Sequence, residues 1–166
     1  MESVKVRVRA LEPDDLDAIA AIFACPSVVA NTTQLPYQSR EQLATRFFPS
    51  PAGTHILGAE ADGRVVGMLG LHGHIGPRTR HAAGIGMSVH EDYQGRGVGT
   101  ALMAAMIDLA DGWLNLHRIE LQVYTDNTPA IHLYEKFGFV VEGTLRDYVF
   151  REGVYVDALA MARLRR

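Results

Sequence analysis

Apolar and polar residues alternate at the start of the chain, where Val4, Val6 and Val8 are interleaved with Lys5, Arg7 and Arg9. A period of two is that of a strand with one buried face, so a first strand is expected there. The pattern then turns helical. Glu12-Pro13-Asp14-Asp15 supplies a proline and acids for a first turn, and Leu16, Ile19, Ala20 and Phe23 form an apolar face that Pro26 ends. Ser39-Arg40-Glu41-Gln42 has the spacing of a capping box for a second helix, which Phe47-Phe48-Pro49 closes. Thr54 to Ala61 and Arg64 to Leu71 read as strands joined at Asp62-Gly63, a hairpin turn signal. Ile85 to Val89 is short and apolar enough for a buried strand, and Val98, Leu102, Ala105 and Leu109 lie on one helix face.

Arg118 to Tyr124 alternates again as a strand. A short helix follows, with Asn127 as N-cap, Pro129 in its first turn and Gly138 at its C-cap. Val140 to Phe150 and Val154 to Ala162, joined at Arg151-Glu152-Gly153, give two closing strands. Elements in this order predict an α/β fold, a mixed sheet with helices on both faces. No repeat or linker interrupts it, and 166 residues fit a single domain over 1–166.

Composition narrows the class. Hydrophobic residues at 48%, charged residues at 21% and a net charge of −3 are ordinary for a globular protein. No long basic run marks a nucleic-acid or anionic-membrane surface, and Arg163, Arg165 and Arg166 read as a solvated tail. Cys25 is the only cysteine, which excludes an intrachain disulfide and suits a small buried residue. Residues 1–6 lack signal-peptide architecture, and the apolar run Ala18 to Cys25 is too short to span a bilayer. A soluble cytoplasmic protein is expected.

The chemistry concentrates in Ile85 to Thr100. Gly95, Gly97 and Gly99 alternate between the strand and the helix, a pattern that turns backbone amides inward at a helix's positive end and favours phosphate. Arg96 adds a positive charge. The loop lacks the lysine of a nucleoside-triphosphate loop, and Thr100 replaces the third glycine of a dinucleotide loop, which disfavours a dinucleotide-dependent oxidoreductase. His72 and His74 share a strand parity but lack a ligand set at metal spacing, so no metal is expected. The polar segment Ala30 to Gln38 between two helices is read either as a substrate wall or as a plain surface connection.

Gln94-x-x-Gly97-x-Gly99 after a strand ending in Val89, followed by Asn127-x-x-Ala130-x-x-x-Tyr134-x-Lys136-x-Gly138-Phe139, resembles the two signatures of the GCN5-related N-acetyltransferases. The order of elements extends the resemblance over nearly the whole chain. It implies a mostly antiparallel central sheet with a splayed central strand pair, flanked by about four helices. It also implies acetyl-CoA as acyl donor, a primary amine of a small molecule as acceptor, and a homodimer.

Carried over by position, the resemblance places the cofactor against Met87, Ser88 and Val89 and in the loop Gln94, Gly95, Arg96, Gly97, Val98, Gly99 and Thr100. Asn127 and Tyr134 would touch it farther along. The backbone amide of Val89 suits an oxyanion donor, and Tyr134, a phenol with an ordinary pKa about 10, suits the acid that protonates the departing thiolate. A core aromatic on the Ala130/Tyr134/Phe137 face is the alternative for Tyr134. The general base is open among Glu120, Asp126, His81 and His90. Asn31, Gln34, Tyr37 and Tyr148 are the substrate-wall residues. The segment Asn31 to Tyr37, Arg118 to Leu121 and the tail from Glu142 look like a bacterial branch acting on free L-amino acids such as phenylalanine and methionine. Polyamine, aminoglycoside and protein N-terminus acetyltransferases are the alternatives, with a non-catalytic acyl-CoA sensor beside them.

Overall fold

The computed structural model describes residues 2–166. Seven strands, β1 (Arg7–Ala10), β2 (Thr54–Ala61), β3 (Arg64–Gly73), β4 (Ala82–Val89), β5 (Arg118–Tyr124), β6 (Val140–Arg151) and β7 (Val154–Leu164), form one sheet in the order β1-β2-β3-β4-β5-β7-β6. Among the described residues only β4 and β5 run parallel. The five helices are α1 (Leu16–Ala24), α2 (Pro26–Ala30), α3 (Arg40–Phe47), α4 (Val98–Asp108) and α5 (Thr128–Lys136). The mixed, mostly antiparallel α/β architecture expected from the sequence is present, with five helices where about four were expected.

Two apolar clusters hold helices to opposite faces. On one, Leu102, Met103 and Met106 of α4 and Tyr134 of α5 meet Leu69, Leu71, Ile119, Leu121 and Phe139. On the other, Ile19, Ile22 and Phe23 of α1 and Leu43 and Phe47 of α3 meet Val65 and Met68. Fully burying each such aliphatic or aromatic side chain contributes about 1.5–3 kcal/mol. Beyond the register shift opposite Gly67, strand alternation sorts β3: Leu69 and Leu71 face α4, while Met68, Gly70 and His72 face α1–α3.

The sheet opens at its centre. β4 and β5 share only the pairs Ala82 with Arg118, Ala83 with Ile119 and Gly84 with Glu120. Beyond them β4 stays on β3 as far as Val89, and β5 stays on β7 as far as Tyr124, so the two diverge. The splayed pair is there, beginning at Ile85.

Three expectations need correction. The first strand starts at Arg7 rather than Val4, because its partner β2 ends at Ala61 and the turn at Asp62 leaves nothing to pair with earlier residues. Val4 instead donates its N–H to the Arg96 carbonyl at 3.2 Å, and Val4 and Val6 pack on the α4 cluster. Pro26 ends α1 and also opens α2, since a proline at the first helical position loses no intrahelical hydrogen bond.

Of the C-terminal arginines only Arg166 is exposed; Arg163 and Arg165 are not part of a solvated tail. β7 continues to Leu164 against Arg118, which brings Arg163 to Asp111 with two hydrogen bonds of 2.9 and 2.7 Å. Arg165 donates to the Asp111 carbonyl at 2.8 Å and to Asn115 Oδ1. The Arg163 guanidinium holds the Asp111 carboxyl below its ordinary range. A carboxylate lowered in the folded state stabilises above its unfolded pKa, about 3.9, and that stabilisation is lost as pH falls through the folded value. Asp111→Asn should therefore lower the melting temperature at pH 7, and the gap from the parent should close in melts taken at successively lower pH.

Candidate active site

The opening between β4 and β5 is lined by unpaired backbone. His90 donates its N–H to the Val66 carbonyl at 2.8 Å, and residues opposed across an antiparallel pair alternate between bonded and non-bonded. Ser88, Gly86 and Gly84 thus bond to β3, while Met87 and Val89 turn their N–H groups toward the gap that β5 has left. The Gln94 side chain donates to the Val89 carbonyl at 3.0 Å, tying the loop to the strand end. A hydrogen-bonding edge in the middle of a sheet suits an amide-bearing ligand that takes the place of the missing strand.

The glycine loop closes one end of this gap. Gly95 and Gly97 have φ of +68° and +92°, a conformation that favours glycine, and Gly97 is the N-cap of α4. The amides of Val98, Gly99 and Thr100 occupy the first turn, where no intrahelical acceptor exists, and they carry the helix's positive end. Gly99 serves packing as well: a Cβ there would lie 3.0 Å from Leu133 Cδ2 of α5. Val98 is buried in the α4 cluster, so only its backbone faces the loop. Arg96 does not face the site. Its guanidinium donates to the Glu2 and Asp92 carbonyls and lies 5.0 Å over the Tyr93 ring, so the positive potential here comes from amides.

A cavity of about 660 Å³ runs from this loop through the gap to the α1–α3 face. Met87, Ser88, Val89, Gln94, Gly95, Gly97, Gly99, Thr100, Asn127 and Tyr134 line it, as do Asn31, Gln34 and Tyr148. Tyr37 is fully exposed and outside it, with φ of +62° turning its side chain to solvent. Asn127 caps α5 by accepting from the Ala130 N–H at 3.4 Å, which leaves its side-chain NH₂ for a ligand. Tyr134 is 7% exposed and packs 5.9 Å from Phe139; burial pushes its phenol up to about 12. It is at once a core aromatic and a residue of the cavity wall.

None of Glu120, Asp126, His81 or His90 lines the cavity. Glu120 is held by Arg118 at 2.8 Å and His74 at 3.0 Å, and Asp126 is paired with Arg151. His90 accepts from the Asp92 N–H. Sequence reasoning missed three residues that do line it: Arg46, His72 and Tyr124. Arg46 is in the last turn of α3 and donates to Gln34 Oε1; burial lowers its pKa. The Tyr124 hydroxyl is buried with no hydrogen-bond partner, and its ring lies 6.4 Å from that of Tyr148. The period-two continuation of Met68 and Gly70 to His72 was the available signal for that histidine. Nothing local marked Arg46. No group of three or more potential metal ligands occurs among the described residues.

A splayed sheet centre, an amide-lined loop at a helix N-terminus and a cavity that crosses between the two faces define a site that suits a long phosphate-bearing ligand. Residues 17–139 match the Acetyltransferase (GNAT) family, and the chain belongs to it as an N-acetyltransferase. Enzymes of this family use acetyl-CoA and act on amines. The chain is 43% identical to the L-amino acid N-acetyltransferase AaaT of Escherichia coli over 97% of its own length and 99% of the relative's. It is 30% identical to a spermidine N(1)-acetyltransferase of Vibrio cholerae, over 95% and 91%. The solved structure of spermidine N-acetyltransferase from Vibrio cholerae in complex with CoA and spermine superposes with a TM-score of 0.84 at 28% identity, covering 96% of this chain and 95% of that one. No helix among the described residues is long and apolar enough to cross a membrane.

Proposed function

We propose that this chain, as a single domain over residues 1–166, transfers acetyl from acetyl-CoA to the α-amino group of free L-amino acids with apolar side chains. The carrying observation is the charge of the cavity wall: it contains Arg46 and no aspartate or glutamate. A polyamine brings several positive charges and needs carboxylates to receive them, whereas an amino acid brings a carboxylate for which Arg46 is a matched partner. Phe23, Val28, Phe47, Ile56 and Met68 supply an apolar wall for a side chain of the methionine or phenylalanine type. The 43% identity to an L-amino acid N-acetyltransferase points the same way.

The donor supplies an activated acetyl thioester. The amides of Val98, Gly99 and Thr100 hold its pyrophosphate, Met87 and Val89 pair with its amide-bearing arm, and Asn127 meets that arm from α5. The Val89 N–H, facing the gap, donates to the carbonyl oxygen as it gains charge. Tyr134 gives a proton to the sulfur as the carbon–sulfur bond breaks. With acetyl-CoA drawn from the cytoplasmic pool, the cytoplasm is the proposed location.

The test is release of free CoA thiol from acetyl-CoA with a panel of methionine, phenylalanine, their carboxamides, spermidine, an aminoglycoside and a basic peptide. Turnover on the free amino acids but not on the carboxamides is expected. Faster turnover on spermidine would overturn the substrate class in favour of a polyamine.

The reading includes a homodimer, supported by the outer strand of the sheet. Val140, Val141, Leu145, Tyr148 and Phe150 of β6, with Val154 and Tyr155 of β7, leave a band of large apolar side chains exposed, Phe150 at 64%. A monomer seldom leaves an apolar edge strand of this length open. Sedimentation should give a dimer for the parent and a monomer for Phe150→Asp; a monomeric parent would remove the dimer.

A further inference from the structure

We propose that His72 is the proton acceptor for the attacking amine, its ring held over Gly70 on the acceptor side of the sheet. The inference rests on the acetyltransferase reading above, and it supplies the base that none of the carboxylates provides.

Three observations carry it. First, His72 belongs to the β3 face turned toward α1–α3, the side of the sheet on which Asn31, Gln34 and Arg46 enclose the cavity. The donor loop and Tyr134 lie with α4 and α5 on the other side, so the amine reaches the acetyl group through the gap from the His72 side. Second, the floor of the cavity is cleared for this ring. A Cβ at Gly70 would be 2.6 Å from His72 Nε2, so only glycine at 70 admits the ring where it lies. Gly86 of the neighbouring strand continues that floor, and a Cβ on it would meet nothing within 4 Å. That space is open to a ligand. Third, His72 Nδ1 is 3.4 Å from Thr54 Oγ1 across β2. When that nitrogen carries the hydrogen and donates to the threonine, Nε2 is left with a free lone pair over Gly70.

The groups around the ring keep it neutral. From α3 the facing charge is Arg46, from β2 the facing residues are Thr54 and Ile56, and β4 presents Gly84 and Gly86. On β5 the same face carries Glu120, which is already paired with Arg118 and with His74. Burial first, and then the Arg46 charge, push the His72 imidazole below its ordinary pKa. An unprotonated imidazole keeps its lone pair free at neutral pH, and a substrate carboxylate that pairs with Arg46 offsets the charge that weakens it as a base.

The protons balance without a further reagent. The bound ammonium gives one proton to His72 Nε2, from which it passes to water at the cavity mouth. The free nitrogen lone pair bonds to the acetyl carbon, the carbon–sulfur bond breaks, and the sulfur takes its proton from Tyr134. The second proton shed by the nitrogen restores Tyr134. The products are the amide, CoA thiol and one proton in solution.

His72→Asn is the test, assayed as a kcat–pH profile with whichever acceptor the parent enzyme turns over fastest, alongside acetyl-CoA binding by calorimetry. The expected result is a loss of kcat of about 10²-fold or more near neutrality. The loss should shrink as pH rises toward the amine's own pKa, where water already holds free amine, while acetyl-CoA affinity stays within threefold of the parent, roughly RT in free energy. Gly70→Ala, which displaces the ring but keeps the histidine, should show the same pH-dependent deficit in weaker form. A kcat within threefold of the parent at every pH, or a loss equal at every pH, would overturn the role. If the parent prefers spermidine to methionine, the substrate class fails while the His72 profile still gives its own answer.

Discussion

Tyr134→Phe should lower kcat by about 10²–10⁴-fold while leaving acetyl-CoA affinity near that of the parent, the range for loss of a positioned general acid. Phenylalanine keeps the ring that packs 5.9 Å from Phe139 and removes only the hydroxyl, so the fold should be unaffected. The size of the effect follows from where the hydroxyl sits. Burial pushes the Tyr134 phenol up to about 12, and the same desolvation raises the basicity of a thiolate leaving into that pocket. Donor and acceptor therefore shift together, and the transfer remains matched although the phenol is a weaker acid than in water. A group whose pKa is raised keeps its proton through neutral and moderately alkaline pH. The parent should show no alkaline loss of kcat from Tyr134 until pH nears about 12. Steady-state kinetics with calorimetry separates the outcomes: unchanged kcat would remove Tyr134 from proton delivery, and lost acetyl-CoA binding would assign it to the cofactor wall alone.

Arg46→Ala should raise KM for the amino acid by about 10- to 100-fold and leave KM for acetyl-CoA unchanged. A charge-assisted hydrogen bond to a substrate carboxylate is worth about 1.5–3 kcal/mol, and each 1.4 kcal/mol is a factor of ten. Arg46 meets this description because its cationic form is already disfavoured by burial and the cavity wall offers it the amide oxygen of Gln34 rather than a carboxylate. An anion arriving with the substrate repairs that deficit, so the interaction appears in binding rather than in the chemical step. Arg46→Glu extends the test: it should abolish amino-acid turnover and, by reversing the only formal charge on the wall, admit polyamines that the parent rejects. Equal KM values for methionine in the parent and in Arg46→Ala would place the carboxylate elsewhere.

The two predictions concern opposite sides of one sheet, and this division explains how the site works. The groups proposed to bind the donor come from contiguous chain, β4, the glycine loop and α4, with α5 following one strand later. The groups proposed to face the acceptor come from α2, α3, β2 and β3, far apart along the chain, since Val28 and His72 share the wall. A ligand can cross between the sides only because the β4–β5 pairing stops after Gly84. The seam where a parallel pair lets go is thus the functional centre of the fold.

The donor side was legible in the sequence, for a physical reason. Backbone amides at a helix N-terminus, glycines that permit positive φ and an N-cap asparagine act through their own local geometry, so Gly95, Gly97 and Asn127 announce their conformations without reference to the rest of the chain. Hydrophobic periodicity likewise set the order of the strands and of every helix but α2, though not the ends of β1, β3, β4 and β7, because burial of one face is a property of spacing and the ends depend on partners. The acceptor side was legible only in part: Asn31, Gln34 and Tyr148 were expected on its wall and line the cavity, but its charges were not foreseen, because charge compensation is a property of neighbours in space. Arg96 looked like a site cation and is spent on carbonyls and the Tyr93 ring, while Arg46, which nothing local marked, is the cation of the cavity. Glu120 and Asp126 looked available and are each neutralised by an arginine, and the terminal Arg163 proved to be bound to Asp111. The sequence by itself determined the elements, the donor loop and the family. Only the tertiary structure decided which charges are free and which side of the sheet each one faces, because a pairing such as Arg163 with Asp111, 52 residues apart, leaves no local trace.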